Sequence, residues 1–173
     1  MIWYFFGEGS FFDLFENKRT LFLQILVGAI FGAIAALIAI QIIRIPAIEE
    51  ALKNYTNLMA RLKLTLPLII LISIAAGVGE EILFRAVIQN LIGLWPAAII
   101  FVAIHGYLNP LNWRISIYGI YLVLTSASFG YLYTNLGIWS AAMAHATFDF
   151  VLLFYVKHDL LYPEPDHHHD EEE

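Results

Sequence analysis

The chain has 173 residues, 60% of them hydrophobic and 14% charged, and a formal net charge of -6 from 15 acidic against 9 Lys and Arg side chains. Soluble domains carry about 25% charged residues, and a chain this short has too little interior to hide so much apolar surface, so part of its solvent is lipid. No basic stripe exists to meet phosphates, which argues against nucleic acid, and the lack of Cys excludes disulfides, thiolate nucleophiles and Cys-based metal sites.

Residues 1–19, MIWYFFGEGSFFDLFENKR, interleave aromatic rings with Glu8, Asp13, Glu16, Lys18 and Arg19. Such a segment suits the headgroup layer of a bilayer, with a loosely packed terminus as the alternative. No small-residue cleavage pattern follows, so it reads as a retained anchor and not a signal peptide. Thr20 to Ile43 carries no charge. At ~1.5 Å per residue it reaches about 36 Å, enough to cross a hydrocarbon core of about 30 Å. Within it, Gly28 and Gly32 permit a close helix contact, either inside the fold or between two copies.

Arg44 to Lys63 reads as the main polar connection, with Arg44, Lys53, Arg61 and Lys63 beside Glu49 and Glu50. Its basic residues favour the cytoplasmic side, for which Lys18 and Arg19 compete from the other end of the first span. Leu64 to Val78 is apolar and runs into GEEILFRAVIQNLIG, where Gly77 and Gly79 either bend the helix beside Glu80 to admit water or serve simple packing. A shorter apolar stretch follows at Trp95 to Tyr107, then spans at Arg114 to Tyr133 and Ile138 to Val156. The expected fold is all-α: a polytopic transmembrane helical bundle of five to six membrane segments around a polar intramembrane cavity. No internal repeat is evident. The terminal PEPDHHHDEEE reads as a disordered acidic tail, although His167, His168 and His169 could bind a metal weakly.

Ionisable groups at membrane depth are expensive and persist when paired, snorkelling or functional. Here they are Glu80, Glu81, Arg85, His105, His145 and Asp149. Glu81 and Arg85, four apart with the acid first, can pair on one helical face. Glu80 is turned about 100° away from that face and is left to address another group. A carboxylate made more basic by partial burial and an imidazole at His105 have the composition of a general-base unit. His145 and Asp149 share a face, so Asp149 could fix the His145 tautomer and leave the other nitrogen for a developing oxyanion, or the two could form a purely structural bond. The same atoms could instead hold a divalent cation, but no H-E-x-x-H, H-x-x-E-H, G-x-S-x-G or Walker motif is present.

These residues resemble the three motifs of the CAAX prenyl protease and bacteriocin-processing family, also called the Abi family of glutamate-type intramembrane proteases. Its Glu-Glu-x-x-x-Arg motif is similar to Glu80, Glu81 and Arg85; Phe-x-x-x-His to Phe101 and His105; and His-x-x-x-Asn or Asp to His145 and Asp149. The resemblance covers roughly 62–156. It implies that Glu80 and His105 activate water for attack on a scissile amide, that Glu81 pairs with Arg85, and that His145 and residue 149 stabilise the tetrahedral intermediate. Asp149 departs from the Asn common in the prenyl protease branch, and an ionised Asp cannot donate to an oxyanion.

The chain thus divides into an interfacial segment, first span and basic loop over 1–61, a catalytic membrane core over 62–156, and an acidic tail over 157–173. The expected activity is intramembrane hydrolysis of a peptide or protein substrate, prenylated or otherwise membrane-anchored, or a secreted peptide, by a multi-pass protein of the cell membrane. No cofactor is expected, with a bound divalent metal as a separate question. Rival readings are a non-enzymatic membrane partner or immunity protein, a zinc-dependent membrane peptidase, and a small ion transporter.

Overall fold

The computed structural model describes residues 19–61 and 64–161, and every regular element among them is helical. The aromatic segment expected at the start and the histidine-bearing tail lie outside the described residues. Helix α1 spans Leu21–Ile43, α2 Pro46–Arg61, α3 Leu66–Ile92, α4 Leu94–Ile104, α5 Trp113–Asn135 and α6 Ile138–Tyr155. Four of them, α1, α3, α5 and α6, are long and apolar enough to cross a bilayer. Helix α4 is the fifth apolar segment; its 11 residues reach only about 16 Å, half of a hydrocarbon core. This is a helical membrane bundle.

Helix α1 buries one stripe, Gln24, Gly28, Gly32, Ala35, Ala36, Ala39, Ile40 and Ile43, and exposes Phe22, Ile30, Ile34 and Leu37 on the other side. The stripe packs on α6. A Cβ on Gly28 would come within 2.5 Å of the Ser140 carbonyl oxygen, and one on Gly32 would collide with that of Ala144. Small residues here let two backbones approach within the molecule, so the Gly28 and Gly32 spacing serves internal packing. Gly77 does the same for α3: its Cβ would meet Ala142 and Ala146 of α6, while Gly79 faces open space. Helix α6 is therefore central, with α1 and α3 both packed closely against it.

The polar connection after α1 is not a loop. Residues 46–61 form α2, with Pro46 at its first position and Glu49 in its first turn, where fixed φ and the helix dipole favour them. Ile48, Leu52, Tyr55 and Met59 recur at helical spacing; Ile48 and Leu52 are buried, whereas Glu50 and Lys53 are exposed. The charges that made the segment look like a loop form the wet face of an amphipathic helix. The last helix also outlasts its expected end, since Val156–Leu161 continues α6 as a π-helical turn into the region assigned to the tail.

Two breaks shape the site. Helix α3 is capped by Thr65, whose hydroxyl accepts from the Leu68 N–H, carries Pro67 in its first turn, and widens into a π-helical stretch at Ile82–Gln89, immediately after Glu80 and Glu81. Such wide turns recur at functional sites. Helix α4 ends at His105 because Gly106 adopts φ 82°, a left-handed conformation that favours glycine. The Tyr55 hydroxyl of α2 donates to the Gly106 carbonyl at 3.1 Å, which ties the amphipathic helix to this corner.

Candidate active site

Helix α3 presents its adjacent glutamates to different surroundings. Glu81 continues the row Ile69, Ser73, Gly77, one residue every four, that faces α6. Its side chain and that of Arg85 are both 0% exposed, and Arg85 Nε donates to Glu81 Oε2 at 2.6 Å and Nη2 to Oε1 at 3.3 Å. The guanidinium also donates to Ser126 Oγ of α5 at 2.9 Å and to Gln89 Oε1 at 3.5 Å. Gln89 passes the connection on, its amide nitrogen donating to the Gly130 carbonyl at 3.2 Å. A charge pair sealed from water is tolerable only when its remaining donors and acceptors are occupied, and Ser126 and Gln89 occupy them.

Glu80, rotated off that row, has a side chain 36% exposed and lines a cavity of about 400 Å³. One of its oxygens, Oε2, lies 3.7 Å from His105 Nε2 and 3.8 Å from His145 Nε2. These separations exceed a direct hydrogen bond and suit contacts that tighten, or close through one water, when substrate is bound. His105 is oriented from behind, because Nδ1 lies 2.6 Å from the Phe101 carbonyl oxygen, an acceptor, so that Nδ1 carries the hydrogen and Nε2 faces Glu80. The Glu80 acceptor holds His105 above the usual histidine range, against burial that pulls it down and with help from the Phe101 carbonyl. The Phe101 ring fills the space between the two imidazoles, 4.5 Å from His105 and 5.6 Å from His145, and abuts Phe84 edge-on at 4.8 Å.

His145, on α6, is buried, and its placement corrects one expectation. Its Nδ1 meets Glu81 Oε1 at 3.0 Å, so Glu81, not Asp149, fixes the ring. Asp149 lies on the opposite edge, with Oδ2 3.5 Å from Nε2, the nitrogen that Glu80 also approaches. With Nδ1 donating to Glu81, Nε2 donates only in the imidazolium form. The reason is topological: an i, i+4 spacing shows that Asp149 can reach His145, but only the packing of α3 on α6 shows that Glu81 arrives from the other side.

All seven residues singled out in the sequence, Glu80, Glu81, Arg85, Phe101, His105, His145 and Asp149, meet where α3, α4 and α6 converge. Sequence reasoning missed Ser126, Gln89 and Gly130. Gln89 had a readable signal, because it extends the Glu81 and Arg85 row by another four residues; Ser126 had none, since its role depends on where α5 lies. Away from Glu80 and the histidines the cavity wall is largely apolar, including Ile43, Leu52, Met59, Ile72 and Leu122, and α2 closes one side. Among the described residues no group of three or more His, Asp or Glu side chains is placed to hold a metal ion.

A curated relative from Bacillus subtilis (strain 168), described as uncharacterized protein YpbD, is 33% identical over 99 residues, covering 55% of this chain and 49% of its own length. The chain thus spans about half the length of the relative it matches. No solved structure matches it. The family described as "Type II CAAX prenyl endopeptidase Rce1-like" matches residues 62–151, the interval that contains α3 to α5 and most of α6. That match covers more than half of the chain, and the interval holds both glutamates, both cavity histidines and Asp149; the chain belongs to the Rce1-like family of CAAX prenyl endopeptidases.

Proposed function

We propose that the chain is an intramembrane endopeptidase in which Glu80 is the general base, His105 positions the attacking water, and the edge of His145 facing Asp149 stabilises the oxyanion. The observation that carries this reading is the single Glu80 oxygen lying within 3.8 Å of both His105 Nε2 and His145 Nε2 on the wall of a cavity. A water held between Glu80 and His105 loses a proton to the carboxylate as its oxygen bonds to the scissile carbonyl carbon. The carbonyl oxygen takes up the negative charge, and the His145 imidazolium donates to it from Nε2, a charge-assisted bond stronger than a neutral one. Collapse breaks the C–N bond, and protonated Glu80 returns its proton to the leaving amine. Glu81 and Arg85 stay outside this sequence and hold His145 in place.

The apolar cavity beside these groups supports a membrane-associated substrate, and the family supports a prenylated peptide as the first to try. Its test is cleavage of a fluorogenic farnesylated peptide ending Cys-aliphatic-aliphatic-X by the protein in liposomes. Wild type cleaves it, and Glu80→Gln and His105→Ala lower the rate by about 10²–10⁴-fold, the usual weight of a positioned acid–base group. Wild-type rates in Glu80→Gln would contradict the assignment.

A further inference from the structure

Four tyrosines form a chain of ring contacts, and three of them, Tyr55, Tyr107 and Tyr118, lie on the cavity wall. Tyr55 stacks on Tyr107 at 5.1 Å, Tyr107 meets Tyr118 edge-on at 5.6 Å, and Tyr118 lies parallel to Tyr121 at 6.5 Å. Their hydroxyls are treated differently. The two outer ones are tied to backbone carbonyls, Tyr55 to Gly106 at 3.1 Å and Tyr121 to Ala35 at 2.6 Å. The two inner residues, Tyr107 and Tyr118, line the cavity, and among the described residues no group hydrogen-bonds to either hydroxyl. Tyr118 is 3% exposed, so its phenol is withdrawn from bulk solvent. Burial pushes the Tyr107 phenol up to about 12, and Tyr55 and Asp149 add to it, so this hydroxyl keeps its proton.

Both residues border the cavity and neither hydroxyl is committed to an acceptor among the described residues, so each is a donor that a molecule entering the cavity can engage in place of solvent. Phenylalanine would fill the same volume without that donor. Resting on the peptidase reading above, we propose that the Tyr107 and Tyr118 hydroxyls donate to oxygen acceptors of the bound peptide, making these two residues determinants of substrate affinity. They have no part in bond making: neither touches Glu80 or His105 in a hydrogen bond or ion pair. Two sources of acceptor share this chemistry, a main-chain carbonyl and a free C-terminal carboxylate.

The experiment measures both binding and cleavage of the farnesylated peptide, as free acid and as C-terminal amide, by the full chain in detergent. Tyr118→Phe and Tyr107→Phe each weaken binding about ten-fold, the weight of one hydrogen bond, and raise KM by a similar factor while kcat stays within about three-fold. Loss of the difference between wild type and variants with the amide assigns the acceptor to the carboxylate; persistence assigns it to the main chain. Tyr121→Phe is the control, with lower thermal stability and unchanged binding. Glu80→Gln separates the two proposals, since it binds the peptide as wild type does but leaves it uncut. Cleavage by Glu80→Gln would overturn the base and leave the tyrosine assignment standing. Undiminished binding by the Tyr107→Phe, Tyr118→Phe double variant, or no binding by wild type, overturns the tyrosine assignment.

Discussion

Helix α6 is gripped on two sides by opposite kinds of chemistry. Against α1 the contact is made of Gly28, Gly32 and small alanines, with backbone pressed on backbone. Against α3 it includes a fully buried carboxylate, Glu81, that reaches an imidazole on α6 and a guanidinium on its own helix. The first contact tolerates no added volume and the second no lost charge. Lipid is as apolar as a leucine side chain, so neither seam can rely on exclusion of water; one uses dispersion at close range and the other uses satisfied polar groups. The polar seam is also the one that holds His145 for the cavity.

The largest stability effect is expected at the polar seam. Arg85→Ala leaves Glu81 buried without its charge partner, and removing one member of such a pair costs about 3–5 kcal/mol. The measurement is thermal unfolding and monodisperse yield in detergent; an unfolding midpoint equal to wild type would refute the scaffold role. At the small-residue seam, Gly32→Ala places a methyl on the Ala144 carbonyl and should destabilise by about 1–3 kcal/mol through overpacking. Gly79→Ala is the matched control, since nothing lies within 4 Å of its added carbon, and the midpoint should hold or rise slightly. Equal effects at the two glycines would mean that α1 does not pack on α6 this closely.

A smaller effect joins the seam to the cavity. His105 is raised by the Glu80 acceptor, so the contact between imidazolium and carboxylate contributes stability fully below the ordinary histidine value of about 6.5 and loses it as pH rises through the raised one. Glu80→Gln removes the main cause, and the His105 titration should move to lower pH. A histidine NMR titration in micelles reads this directly, and an unmoved midpoint would separate the two side chains.

Local spacing made part of the site legible. The Glu81 and Arg85 pair follows from four residues on one helix, and the independence of Glu80 follows from the 100° turn between neighbours. The three motif segments were readable because charged groups stand out in apolar helices. What spacing could not supply is which group crosses between helices. Glu81 reaches His145 from 64 residues away, and Ser126 reaches Arg85 from 41, and neither distance leaves a periodic trace. Helix α2 was misread because four charged or polar turns outweighed its apolar row in a count by composition, although Ile48, Leu52, Tyr55 and Met59 carried the helical period. The unpaired hydroxyls of Tyr107 and Tyr118 were invisible for another reason: in sequence they are two aromatics among 9 tyrosines.

Adjacent glutamates with opposite duties are the centre of this account, and they can be compared in one pair of variants. Purified Glu80→Gln and Glu81→Gln, assayed together for peptide cleavage and for thermal midpoint, should separate cleanly. At a pH above the His105 titration, where the contact with His105 no longer contributes, Glu80→Gln keeps the wild-type midpoint and loses cleavage, whereas Glu81→Gln loses several degrees of midpoint. A Glu80→Gln protein that cleaves at the wild-type rate, or one that unfolds as readily as Glu81→Gln, would contradict it.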